Sequence, residues 1–213
     1  MKLTKRLKTI CDLVPNGTNV IDVGCDHALI DIYLTLNKLN TCIASDINQN
    51  ALDSAITNIK KYHLENEIKT VISDGLNNIE IPDNNTIIIC GMGTNTILNI
   101  LNNTDYKKIN NLIIQSNNDL YLLRKEITKL GFYIEKDIKL KDKNIFYTII
   151  KFKKGNKKYK KYEYLYGINL DNQEYINYEL NKNIKILNNL PKKKIIKRLS
   201  LKLNNRYLNK KSK

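Results

Sequence analysis

The stretch "NVIDVGCDHALIDIYL", residues 19 to 34, opens as a buried strand and then meets one glycine followed by an Asp-His pair. A loop that cradles phosphates would carry two or three glycines here. Four similar β-branched runs follow it, "TCIAS" (41–45), "KTVIS" (69–73), "TIIIC" (86–90) and "NLIIQ" (111–115), with helically spaced segments between them. Strands that alternate with helices predict βα units on a parallel sheet covered on both faces. Next, "GFYIEKDIKL" and "NIFYTIIKF" lie on either side of a short charged turn, so the sheet is expected to close with an antiparallel hairpin.

A core of this kind takes roughly 150 residues, and the chain has 213, which leaves an appendage. The composition turns basic and tyrosine-rich at "KKGNKKYKKYEY" (153–164), read as a linker, with domains at 1–160 and 161–213. In the second segment Ile176, Leu180, Ile184 and Leu187 recur at helical spacing, and after Pro191 so do Ile196, Leu199, Leu203 and Tyr207. One apolar stripe per helix predicts an antiparallel, coiled-coil-like helical hairpin. The fold class is therefore α/β: a Rossmann-like parallel sheet with a terminal antiparallel hairpin, plus a C-terminal α-helical hairpin.

Charge separates the two parts. Residues 1–150 hold 17 Lys and Arg against 17 Asp and Glu, while 151–213 hold 19 against 4, so the net +15 lies in the last segment. Such asymmetry points to a polyanionic partner, most often nucleic acid. Lys192, Lys193, Lys194, Lys197 and Arg198 on the hairpin are the expected RNA-binding cations. No apolar run approaches the ~20 residues of a membrane span, and the N-terminus interleaves charge with apolar residues, so a cytoplasmic chain without a membrane partner is expected. The four cysteines form no C-x-x-C pair and are read as reduced structural thiols. Two histidines are too few for a His-rich metal site, and no metal is expected. A monomer is expected.

In an open α/β sheet ligands sit at the carboxyl ends of the strands. The residues there are Asp22, Gly24, Asp26 and His27 after the first strand, Asp46 after the second and Asp74-Gly75 after the third. Gly91-Met92-Gly93 follow the fourth, and Gln115 and Asn117 the fifth. This row is acidic and carries no Lys or Arg; both G-x-G-x-x-G and the P-loop pattern are missing, so it repels phosphate. S-adenosylmethionine, a phosphate-free cation with an ammonium and two ribose hydroxyls, suits it. Asp22 or Asp26 can pair with the ammonium, Asp46 can accept from both ribose hydroxyls, and Asp74 fits the adenine amine. Each Asp taken alone could instead cap a helix.

The segments "LTKRL" (3–7), "VIDVGCDHALIDIYL" (20–34), "CIASDIN" (42–48), "VISDGL" (71–76), "IIICGMGT" (87–94) and "LIIQSNNDLYLLRKEI" (112–127) resemble, in order and spacing, the bacterial tRNA adenine-N1 methyltransferases that modify adenine 22. The resemblance covers about residues 3–166, and "LYGINL" (165–170) is similar to a further family segment without its proline. Thr94 departs from it, standing where the family tends to have glycine, and predicts a stiffer loop. The resemblance implies a class I, S-adenosylmethionine-dependent enzyme whose nucleophile is adenine N1 in tRNA. That lone pair needs no strong base, so the enzyme's work is positioning and electrostatics. Asp26 would tolerate the new positive charge, and His27 would orient the base or cap the next helix; these two are the expected catalytic pair. Asp22, Gly24, Asp26, Asp46, Ile47, Asp74, Gly75, Gly91 and Met92 are the expected cofactor-binding set. Arg6 is placed with the RNA-binding residues. N1 lies on the Watson–Crick edge, so the target must be unpaired or flipped out.

Two other readings remain. A methyltransferase acting on an exocyclic amine usually shows Asp/Asn-Pro-Pro-aromatic after the fourth strand, where "CGMG" stands. A non-catalytic RNA-binding protein on this fold would have lost the carboxylate row.

Overall fold

The structure, a computed structural model, describes residues 1–211. It divides into two compact units, one from Met1 to Lys158 and the other from Tyr159 onward. The break falls two residues before the boundary expected at 160.

In the first unit, α1 (Lys5–Leu13) precedes a seven-stranded sheet. The strands are β1 (Asn19–Val23), β2 (Thr41–Asp46), β3 (Ile68–Ile72), β4 (Asn85–Met92), β5 (Asn111–Ser116), β6 (Phe132–Asp142) and β7 (Ile145–Lys154). Between them lie α2 (Leu29–Lys38), α3 (Gln49–Lys61), α4 (Thr94–Asn102) and α5 (Leu120–Lys129). The spatial order is β3-β2-β1-β4-β5-β7-β6; β1 to β5 pair in parallel, and β7 pairs antiparallel with both β5 and β6. Every strand expected from sequence is present, including the terminal hairpin. The order reverses between β1 and β4, which opens a crevice at their carboxyl ends. The central strands are buried on both faces, as Ile87, Ile88, Ile89, Ile113 and Ile114 show. Helix starts follow local chemistry: Thr4 Oγ1 accepts from Leu7 N, Asn48 Oδ1 from Asn50 N and Asp119 Oδ1 from Leu122 N.

A buried ionic cluster lies where α5 covers β6. Arg124 Nε donates to Asp137 Oδ2 at 2.8 Å, and Lys139 Nζ meets Asp137 Oδ1 at 2.9 Å, all three side chains being almost fully enclosed. Burial by itself raises the Asp137 carboxyl, but the two cations outweigh it and hold the group below the ordinary carboxylate range.

The second unit holds α6 (Lys161–Tyr166), α7 (Gln173–Asn189) and α8 (Ile195–Lys211). The expected linker is therefore partly helical, and its tyrosines pack: Tyr162 stacks on Tyr207 with ring centres 4.2 Å apart and planes 5° from parallel. Pairings Gln173–Lys211, Asn183–Asn205 and Leu190–Arg198 show that α7 and α8 run antiparallel. Of the expected apolar stripe of α8, Tyr207 packs but Ile196, Leu199 and Leu203 do not. Ile196 is 87% exposed and Leu199 58%, whereas Asn204 and Leu208 are buried. Asn183 Nδ2 donates to Asn205 Oδ1 at 2.9 Å and to the Tyr166 hydroxyl at 3.3 Å. This polar pairing sets the rotation of α8 and turns much of its aliphatic side outward; hydrophobic spacing alone does not register it.

Candidate active site

Gly24 follows β1 with φ +80°, and a Cβ there would stand 2.6 Å from Met92 Cε. The backbone can thus approach the β4 loop only because position 24 has no side chain. Gly24 N and Cys25 N both donate to Ser45 O, at 2.8 and 3.0 Å, which joins the loops after β1 and β2. The link continues with Asp46: Oδ1 accepts from Asn48 N at 2.9 Å, and Oδ2 lies 3.5 Å from Asp26 N. Asp26 and Ala28 both adopt left-handed backbone, φ 50° and 52°. Their turn lifts the Asp26 and His27 side chains to 74% and 54% exposure, with His27 Nε2 3.7 Å from Asp26 Oδ1. His27 does not cap α2, whose N-cap is Ala28 without a side-chain bond. The loop is pinned instead by Asn58 Nδ2, which donates to His27 O at 3.0 Å.

On the β4 side, the pairing with β5 slips between Cys90 and Met92, leaving Gly91 in a bulge with φ +82°. Asn117 clamps it, donating from Nδ2 to Gly91 O at 2.6 Å and from N to Met92 O at 2.9 Å. Thr94 acts as a clasp: its N–H bonds Asn118 Oδ1 at 2.9 Å, and its hydroxyl reaches Ser116 Oγ at 2.9 Å and Asn118 O at 2.7 Å. These bonds are the local contacts through which Thr94 would stiffen the loop in the way the sequence leads one to expect. Thr94→Gly should lower the stability of the sheet unit by about 1 to 2 kcal/mol through lost buried hydrogen bonds and added chain freedom, measured by urea unfolding.

Asp22, Gly24, Asp26, His27 and Gly91 come together around one cavity of about 220 Å³. Arg6 joins them, contrary to the expectation that the row lacks a cation: the strands carry none, but α1 delivers one. Its Nη1 donates to Gln115 Oε1 at 2.9 Å, and its guanidinium lies 5.4 Å from the Tyr147 ring centre. Gln115 Nε2 in turn donates to Asn117 Oδ1 at 3.0 Å, so Arg6, Gln115, Asn117 and the Gly91 carbonyl form one chain. Asp46 at the end of β2, Ile47 just beyond it, and Asp74 and Gly75 after β3 follow along the same carboxyl edge without lining the cavity; Met92 is also outside its lining. Ile47, next to Asp46 in the chain, is 66% exposed and offers an apolar side chain there.

Burial and the neighbouring Asp31 and Asp46 push the Asp22 carboxyl well above its usual range. Asp31 stands outside the row read from sequence, although a lone carboxylate on the apolar face of "LIDIYL" is a readable anomaly. Burial likewise pushes Cys11 up to about 12, and raises Cys25, Cys42 and Cys90, so none of the four thiols is a reactive thiolate at neutral pH. Among the described residues no group of His, Cys, Asp and Glu is arranged to hold a metal, and no helix is long and apolar enough to cross a membrane.

Of the hairpin cations, Lys192, Lys193, Lys194 and Lys197 are exposed at the α7–α8 turn and the start of α8. Arg198 differs: its Nη1 donates to Leu187 O at 2.9 Å and Leu190 O at 2.7 Å, closing the end of α7.

The strand order, the crevice at the β1/β4 switch and its carboxylates define the fold class of class I methyltransferases. The profile of the "Methyltransferase domain" family matches residues 3–150. The tRNA (adenine(22)-N(1))-methyltransferase of Bacillus subtilis is 30% identical over 160 residues, 74% of this chain and 67% of that one. Among solved structures, M. capricolum TrmK in complex with S-adenosyl-homocysteine is 31% identical with TM-score 0.85, covering 99% of this chain and 97% of that one. A protein of the NADB-Rossmann superfamily from Streptococcus agalactiae reaches TM-score 0.89 at 30% identity, covering 100% and 98%. The chain belongs to the tRNA (adenine(22)-N(1))-methyltransferase family.

Proposed function

We propose that this chain methylates N1 of an adenine in tRNA, at position 22, with S-adenosylmethionine as donor, as a cytoplasmic monomer. The observation that carries the reading is the carboxylate edge built around Gly24, with Arg6 placed at its end. The residues fit that cofactor. Gly24 leaves room where a Cβ would strike Met92, and a closely approaching ligand needs such room. Asp46 is fixed by Asn48 N–H and keeps lone pairs for ribose hydroxyls. Asp22 or Asp26 would meet the ammonium, Arg6 the carboxylate, Ile47 one face of the adenine and Asp74 its amine. The bound cofactor supplies an electrophilic methyl group on a cationic sulfur.

The chain's own residues have no proton to remove from N1. They hold the base edge and balance charge: Asp26, lifted by its left-handed turn, faces the positive charge that methylation leaves on the base, and His27 beside it orients the base. The Gly91 bulge, clamped by Asn117 and Thr94, forms the other wall. Lys192, Lys193, Lys194 and Lys197 grip phosphates and position the tRNA, while the base is read in the crevice. Arg198, engaged in closing α7, serves the hairpin's geometry first.

Asp46→Ala should weaken S-adenosylmethionine binding by about 1 to 3 kcal/mol, the scale of lost charge-assisted hydrogen bonds, and calorimetry giving an unchanged Kd would end the ribose assignment. Asp26→Ala should reduce turnover far more than it weakens either ligand, because its interaction is made mainly in the transition state. Parallel losses of cofactor affinity and kcat would reassign Asp26 to the ammonium.

A further inference from the structure

Asp31 is the most anomalous group in the sheet unit. It sits in the first turn of α2, its side chain is fully enclosed, and neither carboxyl oxygen is reached by a donor of good hydrogen-bond geometry. A buried ionised carboxylate without donors is among the costliest arrangements a core can hold. The group it is electrostatically coupled to is another carboxyl, Asp22, which is buried in β1 and lines the proposed cofactor cavity. Two carboxyls can bond each other only when a proton lies between them. We propose that Asp31 is a positioning residue that shares one proton with Asp22, and that binding of the cationic cofactor expels this proton to solvent. The proposal rests on the reading of the crevice as the cofactor site.

The surroundings favour such a pair. Cys11 on α1, Cys25 after β1, Cys42 on β2 and Cys90 on β4 all feel Asp22, and each is a neutral thiol at neutral pH. Asp46 on β2 adds negative charge and disfavours a second ionisation, while Arg6, Asp26 and His27 share the cavity with Asp22. Burial dominates at Asp31 and outweighs the help that its own backbone and the Asp22 carboxyl give to the ionised form. The pair titrates as a unit, with burial pushing Asp31 up to about 7. An arriving ammonium and sulfonium stabilise the doubly ionised pair, so the proton leaves with no other bond made or broken. In the free protein the shared proton also keeps the Asp22 carboxyl aimed along one line, toward α2.

The same pair makes stability depend on pH without ligand. A carboxyl raised from 3.8 to about 7 binds more proton folded than unfolded in that interval, so stability should fall as pH rises from about 4 to 7. Asp31→Asn, and Asp31→Leu as an apolar filler, should flatten this part of the Tm against pH curve.

The decisive experiment is calorimetry of S-adenosylhomocysteine and S-adenosylmethionine binding in buffers of differing ionisation enthalpy, on the whole chain and on Asp31→Asn. Above about pH 7, where Asp31 has given up its own proton and Asp22, raised further, still holds the shared one, the wild type should release close to one proton per ligand, more than Asp31→Asn releases, and its affinity should fall about tenfold for each unit by which the pH is lowered. Asp31→Asn should show a weaker pH dependence of affinity, because Asp22 keeps its burial but loses the Asp31 charge and hydrogen bond that raise it further, and His27→Gln controls for the imidazole. Equal proton release by wild type and Asp31→Asn, or binding without release, overturns the proposal alone. A wild-type chain that binds neither ligand overturns the crevice assignment and the proposal together.

Discussion

Asp137→Ala should destabilise the sheet unit by about 3 to 5 kcal/mol, a large share of the roughly 5 to 15 kcal/mol that holds a typical domain folded, because it removes the carboxylate from between two buried cations. Arg124 and Lys139 stay enclosed after losing the carboxylate that faces both of them. Replacing all three side chains by apolar ones of similar volume should cost far less, since burying such a cluster contributes little beyond its own desolvation. The wild type carries the matching acid sensitivity. Asp137 is held below its unfolded value, so its contribution is present above about pH 4 and is lost as pH falls through the folded value. Urea midpoints of the single and triple variants at neutral and acid pH measure this; a single variant with an unchanged midpoint contradicts it.

The second large effect lies on RNA. Replacing Lys192, Lys193, Lys194 and Lys197 together by Ala should leave cofactor binding intact and collapse tRNA affinity. Each phosphate that a cation neutralises contributes roughly 0.7 to 0.9 to the slope of log K against log salt, so removing all four cations should flatten that slope by about 3. Arg198 is left in place because its bonds to Leu187 O and Leu190 O hold the hairpin together. If affinity and salt slope survive the four changes, the tRNA is gripped elsewhere, and the hairpin's charge is a solvated surface.

The sheet is legible in sequence because parallel strands buried on both faces read as unbroken Val and Ile runs, and Asp22, Gly24, Asp46 and Asp74 stand at or directly after their ends. What sequence does not display is what approaches from elsewhere in the chain. Arg6 lies 109 residues from Gln115, and only the packing of α1 brings its guanidinium to the cavity. The Arg124–Asp137–Lys139 cluster looks like ordinary surface charge until α5 covers β6. In the hairpin, the 3.6-residue period predicts a stripe, but Asn183 and Asn205 pair and turn α8 away from it. Asp31 is an intermediate case: the anomaly is visible in "LIDIYL", and its coupling to Asp22 emerges only when α2 folds back beside β1.

The most direct test of the proposed activity is to incubate a defined tRNA having adenine at position 22 with the protein and methyl-labelled S-adenosylmethionine, then digest the RNA and locate the label by mass. The expected result is one methyl per tRNA, recovered as N1-methyladenosine at position 22 and absent from a tRNA carrying another base there. Label recovered on an exocyclic amine or at another position, or no transfer by a protein that binds both ligands, would contradict it.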